Sequence, residues 1–508
     1  MKKFISIFIA SAFLLASCSL EPTREDMIDA GTGIQSQTDI DGFVNGLMIN
    51  IRAYSAGARI YDTDIAVDYF SNCIDNGNRE GTFYKWAYTA SESDVIEPLW
   101  AGAYNSIVNA NYLLFGIDKL NANDFDRTKL SDAKGVAYFA KAYFGFLLCQ
   151  YYCKPYNPAT AANDMGVMVV DNYNPSSDIS SYPGRSSLEA SMEWVLGNLR
   201  EALAHTSTVG SEGSQIVTKD IVNALWARVA LWMGDNNTAI TKSTALVDSE
   251  RYPLLNTQSD MTALWTNDSG KECIMQMYAD YSKGSVGNSN DPSYRNYNPN
   301  TGKTSPDWFP KQWVLDAYNH NDLRYKTWFL ENQNVSWGSS VAGVLTLMDK
   351  FPGNMSLQAA GATVSAHYQK VKPFRIAEQY LIAAEAYQAK GENGPAMVYM
   401  KKFLQARMPG ATISDVTGDA LKELIRNERA KEFIGEGHRW LDLKRWGMGF
   451  TRTANQKDEL TGDAQSTGGS LLSIGADNFR WIWPVPQSEI DSNPQIKEQQ
   501  NPGYTSGS

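Results

Sequence analysis

Apolar residues recur at three- and four-residue steps through much of the chain, which is the period of an amphipathic helix. From Val95 to Leu120 they fall at Leu99, Ala103, Ile107, Ala110 and Leu114. Val136 to Tyr152, Leu188 to Leu203, Ile221 to Trp232, Ile376 to Tyr387, Ala396 to Leu404 and Leu421 to Phe433 carry the same period. Pro155, Pro183, Gly234, Pro253 and Gly391 punctuate these runs as helix stops. Long strand-like alternation is scarce, so the pattern predicts a mainly α body. One feature repeats: Gly234-Asp235-Asn236 with Ala239, and Gly391-Glu392-Asn393 with Ala396, each preceded seven residues earlier by an alanine, Ala227 or Ala384. A glycine ends the first helix and small residues let the second approach it, the pattern of tetratricopeptide-like helical hairpins. The copies lie 157 positions apart, which excludes a continuous solenoid.

The stretch from about 251 to 372 has a different texture and reads as rich in loops. Ser282 to Ser305 is rich in Gly, Asn, Ser, Asp and Pro, yet Tyr278, Tyr281, Tyr294, Tyr297, Trp308, Phe309, Trp313, Trp328 and Trp337 stand in or around it. A second polar loop runs from Thr453 to Ser470, and an earlier one, Asn72 to Thr82, is followed by Phe83, Tyr84, Trp86 and Tyr88. Period two would turn Tyr84, Trp86 and Tyr88 to one face of a strand, either as an exposed platform or as core.

The chain opens with Lys2 and Lys3 and an apolar run from Phe4 to Ala16. That run is shorter than the ~20 residues of a membrane span and suits a secretory signal peptide. It ends in Leu15-Ala16-Ser17-Cys18, which resembles the lipobox of bacterial lipoproteins. The resemblance implies a leader at 1–17, acylation of Cys18 and a polar tether at 18–27, with the lipid as the membrane anchor. The acidic residues of the tether resemble the export signal of lipoproteins that reach the outer face of the outer membrane.

Lys+Arg 45 against Asp+Glu 56 gives a net charge of −11, and without Lys2 and Lys3 the rest stands at −13. So acidic a chain is unsuited to nucleic acid or anionic polymers, which need clustered cations. Cys73, Cys149, Cys153 and Cys273 read as buried thiols, because Cys149 and Cys153 share a helix face whose surroundings are apolar. Aromatics make up 12% of the chain.

Toward the C-terminus stand Ile425-Arg426-Asn427-Glu428-Arg429-Ala430-Lys431-Glu432-Phe433, then Gly435-Glu436-Gly437-His438-Arg439-Trp440-Leu441-Asp442-Leu443-Lys444-Arg445-Trp446. Trp483-Pro484-Val485-Pro486 and Asn501-Pro502-Gly503-Tyr504 follow. With Ala377 to Tyr387, the Trp100, Tyr104, Ile107, Asn111 series, and Ala137 to Val170, these motifs resemble the RagB/SusD family of outer-membrane nutrient-binding lipoproteins over essentially the whole mature chain. The resemblance implies a body at 28–508 with tetratricopeptide-like hairpins against a loop-rich part. It also implies a TonB-dependent, SusC-like transporter barrel as partner, no catalysis, and a place on the outer membrane facing the cell exterior. Read by themselves, Glu428, Glu432 and Glu436 at four-residue spacing make an acidic edge answered by nearby Arg and Lys, the mark of a salt-bridged structural helix. Asn501-Pro502-Gly503 is a turn that pins the C-terminus to the body.

Sugar rings have apolar C–H faces and a belt of hydroxyls, so a binder needs exposed aromatics beside Asp, Asn or Arg. The candidates are Tyr84 and Trp86 with Asp75, Asn76, Asn78 and Arg79, then Tyr294 and Tyr297 with Asp291 and Arg295. Trp308 and Trp337 stand in reserve. Trp100, Trp226 and Trp440 fall in helical patterns and are expected in the core. The function expected is capture of neutral oligo- or polysaccharide. Peptide capture on the same fold is an alternative that makes less use of stacking surfaces, and a helical glycosidase is another, although no carboxylate pair is marked. No cofactor or metal site is implied, and on a structural Ca²⁺ the sequence is silent.

Overall fold

The computed structural model describes residues 33–285, 287–338, 341–363, 365–462 and 472–504. The leader, Cys18 and the tether lie outside the described residues, as do 463–471 of the second polar loop.

Each segment that carries the helical period is a helix, and further helices form outside those segments. In chain order, α1 (Gln37–Tyr54) and α2 (Ala58–Ala66) precede a one-turn α3 (Gly81–Tyr84) and the long α4 (Ile96–Lys119) and α5 (Arg127–Tyr152). Then come α6 (Leu188–His205), α7 (Lys219–Met233), α8 (Asn236–Val247) and α9 (Gln258–Thr266). After two short helices, α10 (Gln312–Asp316) and α11 (Leu323–Trp328), the chain finishes its scaffold with α12 (Ile376–Ala389), α13 (Asn393–Arg407), α14 (Gly418–Glu432) and α15 (Arg439–Arg445). Side chains close their free N–H groups: Ser36 and Asp39 cap α1 reciprocally, and Asp126 accepts from the Thr128 and Lys129 amides of α5. α5 packs between α4 and α6, and every residue from Phe139 to Tyr152 is buried. Cys73, Cys149, Cys153 and Cys273 are all buried.

The two Gly-punctuated segments fold as hairpins, and α8 and α12 also pack on each other. Gly234 and Gly391 sit at φ 74° and 78°, the left-handed conformation that ends a helix without a Cβ clash. Ala227, Ala230, Ala239, Ile382 and Ala386 form one buried cluster where these hairpins meet. At the C-terminus the Asn501 amide donates to the carbonyls of Tyr152 and Trp483, and its oxygen accepts from Arg185.

Strands are short and mostly drawn from the irregular part. β1 (Phe70–Asn72) pairs antiparallel with β5 (Trp308–Pro310), and β2 (Cys273–Met275) pairs with β8 (Phe374–Arg375). A four-stranded sheet runs in the order β3 (Tyr297–Asn298), β4 (Lys303–Thr304), β6 (Phe329–Trp337), β7 (Val341–Met348). The β6–β7 hairpin is regular structure that the sequence pattern did not reveal. Its register shifts between Leu330 and Gln333, and this irregularity breaks the alternation that would have marked β6. Conversely, Tyr84 to Tyr88 is not a strand: Tyr84 ends α3, and Trp86 follows in a turn at φ 54°.

The acidic edge is structural. α14 ends at Glu432, and Glu436 lies beyond it, yet Glu428, Glu432 and Glu436 all meet buried cations. Arg324 bonds Asp322, Glu428 and Glu432; Arg375 bonds Glu272, Glu432 and Glu436; Arg407 bonds Glu272 and Glu432. Lys350 closes the group on Glu436 and on the carbonyls of Glu432 and Ile434.

Candidate functional site at the loop surface

The two groups of candidates, more than two hundred residues apart in sequence, meet at the β1–β5 ladder. Asn72 registers against Trp308, the Cys73 amide donates to the Asp307 carbonyl at 2.8 Å, and the Asp307 amide donates to Ser293. The Asn72 carbonyl accepts from the Gly462 amide and the Ile74 amide reaches Leu460, so the 73–80 loop is held from both sides. A small second core of Cys73, Phe309, Val335, Trp337, Leu345, Leu347 and Leu460 lies beneath it.

That convergence corrects the choice of aromatics. Tyr84, Trp86, Tyr294, Trp308 and Trp337 are 1%, 3%, 1%, 0% and 5% exposed. Trp86 stacks on Trp440 at 4.4 Å between ring centres, meets Trp481 edge-on at 4.7 Å, and donates its indole N–H to the Ala66 carbonyl. Tyr84 lies against Trp308 with Arg452 over its ring, and Tyr294 stacks on Phe70. Trp337 donates to the Pro306 carbonyl. No sugar face reaches any of the five. They are core because their partners come from distant segments that the local pattern does not display.

Two polar candidates are also committed inward. Asn76 is buried, and its carbonyl oxygen accepts from the Asn78 amide in a local turn. Asp291 accepts from the Tyr294 amide at 2.6 Å and pairs with His367 at 2.8 Å. Burial favours the neutral His367 ring, but the Asp291 carboxylate overrides it and holds the imidazole up at about 9.

Asp75, Asn78, Arg79, Arg295 and Tyr297 remain at or near the surface. Tyr297 is 41% exposed at the edge of the four-stranded sheet, and the Arg295 guanidinium lies 5.3 Å from its ring centre. Arg295 also pairs with Asp349 at 3.4 Å, while its buried Nε has no partner among the described residues. Arg79 is ion-paired to buried Asp307 with its own side chain 55% exposed. Burial pushes the Asp307 and Asp349 carboxyls up to about 6, against the downward pull of Arg79 and Arg295. One exposed guanidinium, Arg79, and one half-buried guanidinium, Arg295, are thus each anchored by a carboxylate that is more buried than itself. In the same loop the Asn78 oxygen accepts from Lys85 at 2.6 Å, and Asp75 is exposed.

Backbone strain concentrates here. Asn78, Glu80, Trp86, Ser293, Asn296 and His367 have φ between 47° and 74°, six of the ten non-glycine residues described in the left-handed region. Such conformations persist where the surroundings over-determine them, and they gather at ligand-contacting surfaces. Two exposed aromatics fell outside the candidate set, Tyr278 and Tyr281, at 40% and 41% exposure. Their signal was the Gly- and Ser-rich run that starts beside them. Among the described residues, no group of three or more His, Cys, Asp or Glu is arranged to hold a metal ion.

The chain has clear relatives. A model of the SusD family matches residues 330–504, and one described as starch-binding associating with outer membrane matches 20–231. A SusD-like protein, P38, of Formosa agariphila is 23% identical over 349 residues, a match that spans 62% of this chain and 65% of that relative's length. Among solved structures, a SusD superfamily protein of Bacteroides thetaiotaomicron superposes with a TM-score of 0.75 at 24% identity, covering 92% of this chain and 99% of that one. Surface glycan-binding protein A of Bacteroides fluxus superposes with a TM-score of 0.66 at 17% identity, covering 93% of this chain and all of that one. Family models thus take hold of the chain at both ends, the fold is shared across nearly its whole length, and the protein belongs to the RagB/SusD family.

Proposed function

We propose that this protein is a non-catalytic, cell-surface glycan-binding lipoprotein. It captures neutral oligo- or polysaccharide on the surface built by Asp75, Asn78, Arg79, Arg295 and Tyr297. The observation that carries this reading is Tyr297, an exposed ring with the Arg295 guanidinium 5.3 Å from its centre. One flat apolar face beside several donors and acceptors is what a sugar ring requires. The likeness to a surface glycan-binding protein and to the starch-binding model supports the class of ligand. The chain's net charge of −11 favours neutral cargo over sulfated or uronate-rich chains. In this reading Cys18 carries the lipid, 18–27 is the tether, and the captured glycan passes to a TonB-dependent, SusC-like barrel.

Affinity electrophoresis through gels containing neutral polysaccharides tests the binding: retardation by at least one, lost in Tyr297→Ala, is expected. Tight, salt-sensitive binding of heparin, or preference for peptides, would overturn it. Release of reducing ends from a bound polysaccharide would overturn the non-catalytic role. Cys18→Ala should leave the protein outside the membrane fraction in cells lacking the barrel.

A further inference from the structure

A second cavity lies on the helical scaffold and shares no residue with the loop surface. α4, α5 and α6, with the extended segment around 171–173, enclose a cleft of about 670 Å³, within the ~300–1,000 Å³ of small-molecule sites. Its walls include Phe115, Tyr138, Tyr173 and Trp194, all half-buried and none part of the main core's fully covered set. Asp118, Asp171, Asn172 and Glu201 lie exposed at its rim.

The floor carries an unexplained group. Asn111 is 2% exposed; its amide nitrogen donates to the Val170 carbonyl at 2.9 Å, but its side-chain oxygen has no partner among the described residues. A buried acceptor without a donor is costly unless something else supplies one. Buried Lys141 is already satisfied by the Asp171 carbonyl and carboxylate at 2.9 and 3.1 Å, and Trp194 donates to the same carboxylate at 3.1 Å. The site is therefore preorganised around one open acceptor.

The charges select the ligand. Lys119 Nζ lies 3.9 Å from the Phe115 ring centre, and Lys141 Nζ lies 5.6 and 5.9 Å from those of Tyr138 and Trp194. With a lysine already within 6 Å of three of these rings, a cationic ligand meets like charge. An anion faces three rim and wall carboxylates against two lysines that are already engaged. A neutral ligand with apolar faces and hydroxyl donors meets neither obstacle.

We propose that this cleft is a second saccharide-binding site, taking a neutral sugar ring whose hydroxyl donates to Asn111 Oδ1 and whose C–H face lies on the aromatic walls. A lipoprotein with two such sites would hold one glycan chain at two points, which raises retention through effective concentration.

The test uses the full chain in detergent with the loop surface disabled by Arg79→Ala and Tyr297→Ala. Saturation-transfer NMR is run with glucose, galactose, mannose, xylose and the disaccharides maltose and cellobiose. At least one of these should bind, and Trp194→Leu and Asn111→Leu should each weaken it tenfold or more while the far-ultraviolet circular dichroism stays unchanged. If either variant fails to fold, Asn172→Ala and Glu201→Gln at the rim should weaken binding two- to fivefold. Absence of binding by any of the six sugars, or binding untouched by the cleft variants, overturns the proposal. Because the loop variants are assayed separately on polysaccharide gels, failure of the cleft leaves the loop reading intact, and the reverse also holds.

Discussion

Two regions of the molecule are built from the same chemistry, arginine against carboxylate, and do opposite things with it. Around α14, the side chains of Arg324, Arg375 and Arg407 are 0–2% exposed, and each guanidinium bonds at least two carboxylates. Burial alone would raise the Glu432 carboxyl, but Arg407, Arg375 and Arg324 together hold it below its usual range. At the loop surface the proportions shift: Asp307 and Asp349 are 4% and 14% exposed at their side chains, while Arg79 and Arg295 are 55% and 32% exposed. A saturated network ties α14 to α11, α13 and β8 and has nothing left to offer a ligand. An unsaturated one keeps donors facing water. What separates scaffold from candidate site is therefore the number of partners each arginine has already met, and residue type does not report it.

The comparison is broken most severely at its saturated end. Glu432→Gln leaves three buried guanidiniums short of a counter-charge and should cost about 3–5 kcal/mol of folding free energy by chemical denaturation. The Glu432 carboxyl is depressed in the folded state. Its contribution is thus present above the unfolded carboxylate range and lost as pH falls, so the wild type should weaken more than the variant on acidification below about pH 4.5.

Trp86→Ala should come next, at about 3–4 kcal/mol of stability, because it empties the space between Trp440 and Trp481. A folded, equally stable variant with weakened glycan binding would return Trp86 to the site.

His367 sharpens the comparison from the loop side. Its pKa is raised to about 9 by Asp291, so its contribution is complete below about pH 6.5 and lost as pH rises through 9. His367→Gln should cost about 2–3 kcal/mol at pH 6 and close to nothing at pH 10, read as the difference between melting curves.

The smallest effect is the most diagnostic of function. Tyr297→Ala should change stability by less than about 0.5 kcal/mol, as exposed positions do, yet cost about 1–2 kcal/mol of glycan affinity in calorimetric titration. Loss of stability with unchanged affinity would make Tyr297 scaffold.

The sequence by itself determined the elements whose cause is local. Helical period placed α4 through α7 and α12 through α14, because one face of each is buried and the spacing of apolar residues records it. Gly234 and Gly391 marked hairpin turns, since few residues besides glycine adopt the left-handed conformation cheaply. The four-residue spacing of Glu428, Glu432 and Glu436 announced a structural row even though α14 stops before the last of them. Tertiary structure alone decided which aromatics face water. Trp86 and Tyr297 look alike in sequence, each an aromatic beside a polar loop. One is core because Trp440 and Trp481 arrive from a segment far along the chain, and the other is exposed because the edge strand that carries it has no cover. The same reason hid the cleft: Tyr138 and Trp194 sit in helical patterns that predict burial, and only the packing of α4, α5 and α6 leaves room between them. Burial is a property of neighbours, and in this chain the decisive neighbours are remote in sequence.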